Sequence, residues 1–551
     1  MKPFAVSVLA LAISASPAFA ALVVSKAATS NVSCTADVCT PTAAKAVLNA
    51  GDLAAMLSSG DVTLQSNALA KDIDIHAPLA WTSASRLTLA SRRGLSIVEP
   101  ILVEGSGGLT IQSGVDYSIT GHGRVEFWDL SSSLNISGQS YTLVNSLSGL
   151  AAAVAANWKV DVALAKSYDA AGDKRYTLSP VPTDFEGTFE GLGNSVSHLK
   201  LYARGPHGNP DIGLFAEIAE GGVVRDIKMV DTTMMAAKDG AEMGALASTN
   251  GGTIINAYAS GRFTDDGMHG GEGGGLVGVN LGTIVSSHSD VTLDAARSEV
   301  GGLAAFNEGT IRDCSAGGAV SGVSAGGLVG ENSSSADGGI FGSHATGAVH
   351  NGGGLVAYNI GTIQDSYATG NVTGALAGGL VGIDGGPILT SYATGTATAQ
   401  DANTAYAGGL VAELFDTTLQ DSYATGAVGA TAPASYAGGA IGRFGTDQGW
   451  TSSIRTVYST GAVSGSDIAG GFIGEDQNDA GYIASAYWDL NTSGVSDPSK
   501  GAGTPANDPG ISGLTTAQFQ SGPPSGFDPS VWAQSPSINN GYPYLIANPP
   551  Q

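Results

Sequence analysis

Basic residues are what this chain most lacks. Lys and Arg together number 23 against 48 Asp and Glu, a formal charge of −25. Between Gly244 and Gly474 the only bases are Arg262, Arg297, Arg312, Arg443 and Arg455. Nucleic acids are held by stripes of Lys and Arg that neutralise phosphates, so no nucleic acid is expected as a partner. Charge of either sign is thin, 13% of residues where roughly 25% is usual, which disfavours long solvated helices. Beyond the first residues no run of about 20 apolar residues occurs, so no transmembrane segment is expected. There are three Cys. Cys34 and Cys39 are close enough in sequence for a small disulfide loop in an oxidising compartment. Cys314 has no obvious partner and reads as a buried thiol acting as a small hydrophobe. The calcium-binding nonapeptide with Gly-Gly-x-Gly-x-Asp spacing is also absent, so acidic turns such as Asp265-Asp266 and Asp476 to Asp479 read as solvated surface. No metal and no cofactor is implied.

Glycine, by contrast, is abundant: 81 of 551 residues, about twice the average share of roughly 7%. It is also periodic. Gly pairs followed by an apolar residue, mostly Leu, end at Gly275, Gly302, Gly327, Gly354, Gly379, Gly409, Gly439 and Gly471, with an earlier copy starting at Gly244 and a fainter one at Gly213. Each is answered by a second step, as in Tyr258-Ala-Ser-Gly261, Tyr367-Ala-Thr-Gly370, Tyr392-Ala-Thr-Gly395, Tyr423-Ala-Thr-Gly426 and Tyr458-Ser-Thr-Gly461. A short fixed period is the mark of a stacked array whose single repeat cannot bury its own apolar face. The expected fold is therefore all-β, a β-solenoid.

The chain divides into five stretches. Residues 1–20 read as a secretory signal: Lys2, an apolar run from Phe4 to Ile13, and Ala18-Phe19-Ala20 as the cleavage site, which places the mature protein outside the cell or on its surface. Residues 21–140 carry short alternating strands, among them Val62-Thr63-Leu64, Asp72 to Ile75, Arg86 to Leu89, Ser96-Ile97 and Leu109 to Ile111, suited to the first coils of a parallel β-helix. In 141–183 the spacing of Leu147, Leu150, Val154 and Ala155 predicts a short helical insertion. Residues 184–490 are the repeat array. Residues 491–551 are rich in Pro, Gly and Ser; Thr515 to Phe519 suggests a brief helix, and Trp532 and Tyr542-Pro543-Tyr544-Leu545 suggest a cap over the end of the array.

Aligning the repeats on one another sorts their side chains. Around Tyr367, strand alternation puts Ser366 and Ala368 on one face and Tyr367 and Thr369 on the other. The Ser slot also accepts Cys314, which suits a tight buried column; the Tyr slot also accepts His344 and Ser315, which suits an exposed one. Tyr258, Tyr367, Tyr392, Tyr423 and Tyr458 are thus expected on the outside, either as a ligand-binding face or as rings stacked to stabilise the coil. Five residues after the Gly pairs ending at Gly275, Gly302, Gly327, Gly354 and Gly379 stand Asn280, Asn307, Asn332 and Asn359, then Asp384. Stacked Asn residues suggest an amide ladder at a turn, in preference to a polar binding row.

The Gly-Gly-Leu-Val-Gly step followed by Ser-Tyr-Ala-Thr-Gly resembles the GLUG motif of large bacterial surface and secreted proteins. The stretch from Gly51 to Gln112, with Gly60-Asp61-Val62-Thr63-Leu64 and Leu87-Thr88-Leu89, is similar to filamentous haemagglutinin-like exoproteins. The resemblance implies a right-handed parallel β-helix, surface display and adhesion. The Asn-Pro-Asn-Gly-Ile-like signature of two-partner export is missing, so the export partner stays unassigned. GLUG motifs also occur in IgA peptidases with a His-Glu-x-x-His helix; none occurs among His76, His122, His198, His207, His269, His288, His344 and His350, so that activity does not carry over.

Catalytic patterns are sparse. Gly322-Val323-Ser324-Ala325-Gly326 fits the nucleophile-elbow string but falls where the repeats demand a turn, without the strand-turn-helix context the chemistry needs. Asp313, Asp365 and Asp421 recur at one repeat position, which marks a structural role, since an active site occurs once. The expectation is an adhesin-like protein that works by contact with a carbohydrate or a host or matrix protein, and no catalysis. The alternatives are a β-helical carbohydrate-active enzyme, of glycosidase or lyase type, and a passive matrix or filament component.

Overall fold

The structure, a computed structural model, describes residues 20–204, 211–333, 338–400, 405–433, 435–445, 452–465, 468–477, 482–505 and 508–550. The expected leader up to Phe19, His207 and Asp479 lie outside these residues. The fold is an all-β parallel β-solenoid of about 15 turns. It forms two compact units, one reaching to Asn145 with Ala163–Lys166 and Leu192–Asn194 added, the other built from Ser146–Val162, Ser167–Gly191 and Ser195 onward.

In the first unit alternating apolar residues point inward. Leu22 and Val24 stack on Ile73 and Ile75, and these on Leu95 and Ile97, in parallel register. Val62 and Leu64 likewise pair with Leu87 and Leu89, and these with Leu109 and Ile111. All twelve are buried. Truncating any such Leu or Ile to Ala should cost about 2–5 kcal/mol in chemical denaturation, through lost burial and the cavity left behind. The hairpin of Val32–Thr35 and Val38–Pro41 sets Cys34 directly opposite Cys39, and the two form a disulfide. One element departs from the strand reading. Helix α1 (Ala50–Leu57) is capped by the Asn49 side chain, which accepts from the backbone N–H of Gly51 and Asp52, and it buries Leu53 and Leu57.

The second unit begins with helix α2 (Leu147–Ala156), which buries Leu147, Leu150 and Val154. The helical stretch is shorter than the 141–183 segment: strand follows at Val162–Leu164 and Tyr168–Asp169. Thereafter each turn repeats one plan. In the turn after Gly354, strands run Val356–Asn359, Thr362–Gln364, Tyr367–Ala368 and Val372–Gly378. The Gly pair marks a close approach of backbones: a Cβ on Gly354 would lie 2.1 Å from the Gly379 carbonyl oxygen of the next turn. Rungs continue past residue 490, since Ala502–Thr504 pairs with Ile473–Asp476 and Ile511–Leu514 with Tyr482–Asp489. This last turn lacks the repeat motif. Its Gly501 and Gly513 instead make room for the Trp488 ring, which a Cβ at either would meet within 3.0 Å.

Three columns fix the register. Asn250, Asn280, Asn307, Asn332 and Asn359 are fully buried. Each side-chain amide donates to the next side-chain oxygen at 2.7 Å, the last to Asp384. A serine column runs beside it: the backbone N–H groups of Cys314, Ser343, Ser366 and Ser391 donate to the hydroxyls of Ser343, Ser366, Ser391 and Ser422. Cys314 is buried and unpaired by disulfide, its thiol pushed up to about 12 by burial. The third column is a left-handed corner, with Asn256 at φ 51°, Asp313 at 54°, Asp365 at 52° and Asp421 at 48°. Asp and Asn tolerate that backbone, which explains why acids recur there.

Asp384 ends the amide ladder as an acceptor, fully buried, and burial pushes its carboxyl from 3.8 to about 8. In the folded chain the group keeps its proton up to about pH 8, while unfolded it ionises near pH 4. The unfolded chain therefore binds fewer protons between these values, and stability falls as pH rises through that window. Asp384→Asn removes this dependence, and its amide can turn to the Gly386 carbonyl as Asn280 turns to Gly282. Thermal melts should show the variant about 1–3 °C above the parent at pH 8 and level with it at pH 4.

Candidate binding face

Strand alternation points one column outward along the array. Its register runs Lys228, Tyr258, His288, Ser315, His344, Tyr367, Tyr392, Tyr423, Tyr458 and Tyr487, each beside its counterpart in the next turn. The rings stack. Tyr258 lies 5.7 Å from His288, His344 4.6 Å from Tyr367, Tyr367 and Tyr423 each 4.9 Å from Tyr392, and Tyr458 5.1 Å from Tyr423, all within 16° of parallel. Offset parallel rings at this distance are favourable beyond the area they bury. At the His end, His288 Nδ1 lies 2.6 Å from Ser315 Oγ and its Nε2 2.9 Å from Asp290, which also accepts from the Tyr258 hydroxyl at 3.1 Å.

Exposure of this column ends partway. Tyr258, His288, Ser315, His344 and Tyr367 are half-buried, whereas Tyr392, Tyr423 and Tyr458 are only 1%, 0% and 0% exposed. The expected outer tyrosine face is corrected for those three. The reason is the C-terminal segment, which runs back along the side of the array over successive turns. Trp532 donates its indole N–H to Asp421 at 3.0 Å, and the Tyr542 hydroxyl donates to Asp489 at 2.7 Å. Asn548 donates to the Ser366 and Thr390 carbonyls, both at 3.2 Å. Phe519, Phe527, Trp532, Tyr542 and Leu545 close over Tyr392, Tyr423 and Tyr458 as one apolar cluster. Burial raises the phenols of Tyr423 and Tyr458 far above the usual range.

A second feature escaped the sequence reading. Glu242, Glu272 and Glu299 stack in register two positions before Gly244, Gly274 and Gly301, and Asp211 precedes them in the same column. Beside them is a groove of about 330 Å³ lined by Asp239, Met268, Glu272, Arg297, Glu299 and Val323. Burial, then the neighbouring carboxylates Glu242 and Glu299, pushes Glu272 up to about 7. The signal was available, since Glu holds one slot in three consecutive repeats. Later repeats fill that column with Ser324, Leu376, Tyr406 and Tyr436, which hides it from a whole-array alignment.

Other candidates disperse. Ser324 lies inside the strand Val320–Gly326, not at a strand-turn-helix elbow. The Asn280 to Asn359 ladder is sealed in the interior, where no ligand reaches it. Asp266 accepts from its own turn, from the N–H groups of Met268 and His269. Among the described residues, no group of three or more His, Cys, Asp or Glu is arranged to hold a metal ion.

Trp532 is the anchor of the covering segment, with its ring 4.6 Å from Phe527 and 5.8 Å from Tyr458. Trp532→Ala should remove about 3–5 kcal/mol of local packing. Limited proteolysis should then cut between Thr515 and Asn548 well before the array is cleaved; simultaneous loss of both would refute a separable covering segment. No protein-family model matches the chain, and no curated protein matches it either.

Proposed function

We propose that this is a secreted or surface-exposed, adhesin-like β-helical protein that acts by contact, without catalysis, through its outward aromatic column. One observation carries the reading: from Tyr258 to Tyr367 the column presents two stacked ring pairs, Tyr258 on His288 and His344 on Tyr367, with Ser315 between them, half-buried on the outside of the coil. Flat aromatic faces with polar edges suit a carbohydrate or a protein segment of a host or matrix, and solenoids commonly bind along such extended surfaces. The resemblance to GLUG-motif and filamentous haemagglutinin-like proteins supports the same reading, as does the leader-like start of the chain.

The test is binding of the purified chain to a glycan and host-matrix array, beside a variant with Tyr258, His288, His344 and Tyr367 changed to Ala. Binding should weaken at least about tenfold, equivalent to about 1.4 kcal/mol, while the β-rich circular dichroism is kept. Failure of the parent to bind any array member would leave a passive structural component as the better account.

A carbohydrate-active enzyme is favoured by a different observation, the acidic groove. A carboxyl pushed up to about 7, with a second carboxylate on the neighbouring rung, offers the acid and carboxylate pair that glycoside cleavage needs. If that reading holds, reducing ends appear on incubation with acidic or neutral polysaccharides and vanish in Glu272→Gln. Absence of turnover in the parent removes the enzyme reading.

A further inference from the structure

The chain already supplies one ligand for its aromatic column, its own C-terminal segment. The Tyr458 and Tyr392 hydroxyls donate to the carbonyl oxygens of Pro543 and Pro549, and the Tyr487 hydroxyl to that of Ser525. An indole N–H meets the corner carboxylate of Asp421, and an Asn amide meets backbone carbonyls of two adjacent turns. Between Thr515 and Pro550 the segment carries one charged residue, Asp528. The column thus holds a proline-bearing polypeptide with a single charge, three of whose carbonyls are taken by ring hydroxyls and whose indole N–H is taken by a corner acid.

The column continues past the last turn that the described part of the segment touches. Among the described residues the hydrogen bonds of the segment stop at Tyr392, Thr390 and Ser366. Ring stacking passes that boundary without a break, from Tyr392 to Tyr367 at 2° and from Tyr367 to His344 at 4°. Beyond it the same groups recur. Asp313 occupies the left-handed corner that Asp421 occupies farther on, and its side chain is exposed. Burial lowers the pKa of the His344 imidazole, so at neutral pH it is an uncharged ring with one N–H donor. Imidazole N–H and phenol O–H make the same offer to a carbonyl.

We propose that the uncovered run of Tyr258, His288, Ser315, His344 and Tyr367 docks an extended, proline-bearing, neutral-to-basic segment of a different protein. The inference rests on the contact reading above and names the class of partner. Proline-rich chain is pre-extended, so an aromatic-lined groove binds it with little ordering loss. Charge decides the source. A second copy would bring its own −25 against a run flanked by Asp290, Asp313 and Asp365, whereas Lys or Arg beside the prolines of another protein gains from those acids.

The probe is a fluorescent peptide of the chain's own sequence from Gly541 to Pro550, together with a version carrying two added lysines, titrated into the full chain and followed by anisotropy. Both should bind saturably. The lysine version should bind at least about threefold tighter at low salt, with the gap closing near 0.5 M salt. His344→Ala with Tyr367→Ala should weaken binding about tenfold, and Asp313→Asn, at an exposed corner, about threefold; the second variant serves if the first fails to fold. No saturable binding overturns the proposal, whatever the glycan array shows, so the broader contact reading stands or falls separately. Binding that rises in Trp532→Ala and ignores His344 and Tyr367 would mean that the peptide merely displaces the chain's own segment, and also overturns it. A concentration-dependent dimer lost in the His344 and Tyr367 variant would assign the run to a second copy instead.

Discussion

Along its paired strands each residue of the array stands beside an equivalent one turn away, at roughly the 4.8 Å spacing of parallel strands. The rest of the molecule follows from that constraint. A residue type persists in a column only if it tolerates a copy of itself at that distance. Asn does, because its amide donates and accepts in line. Serine does, by taking the preceding turn's backbone N–H while its own hydroxyl returns to the carbonyl two residues back. Tyr does by stacking. Glycine does where the backbones approach too closely for any Cβ. Carboxylates do not: Glu272 is pushed upward first by burial and then by the charges of Glu242 and Glu299 in its own column. Like charges brought together in a partly dry groove resist ionising together.

The same constraint explains what could be read from the sequence. Self-compatible columns are periodic, so the solenoid, the Asn ladder from Asn280 to Asn359 and the buried Ser366 column were all legible from internal alignment. The spacing of Leu147, Leu150 and Val154 likewise announced helix α2. Helix α1 was missed, although Leu53 and Leu57 are one helical turn apart, because its flanks alternate like strands. Burial of Tyr392, Tyr423 and Tyr458 was not legible at all. It depends on partners such as Trp532, 111 residues from Asp421 in sequence, and no local pattern encodes a contact of that range.

The C-terminal segment changes what the array presents. The sequence suggests a cap over the last rung, but the chain spends its aromatics on the side, against the tyrosine stack. A long stack of exposed phenols would be an apolar stripe on a soluble surface, and stripes of that kind invite association. Covering the later turns while leaving the earlier ones half-open gives one column two roles. The covered part holds the segment, and the open part keeps the aromatic edge available.

The amide ladder also has a sense of direction. Each Asn donates toward the C-terminal end, so the first oxygen, on Asn250, has no partner, and the last amide needs an acceptor that Asp384 supplies. Such a row lengthens or shortens freely in its middle, since any whole turn removed there leaves every remaining donor facing an acceptor. Removing the turn that carries Asp384 does not: Asn359 would then face Leu414, with its donor stranded in the interior. Copy number of the repeat is therefore open to duplication and loss within the ladder, while the turn that closes it is not interchangeable with the others.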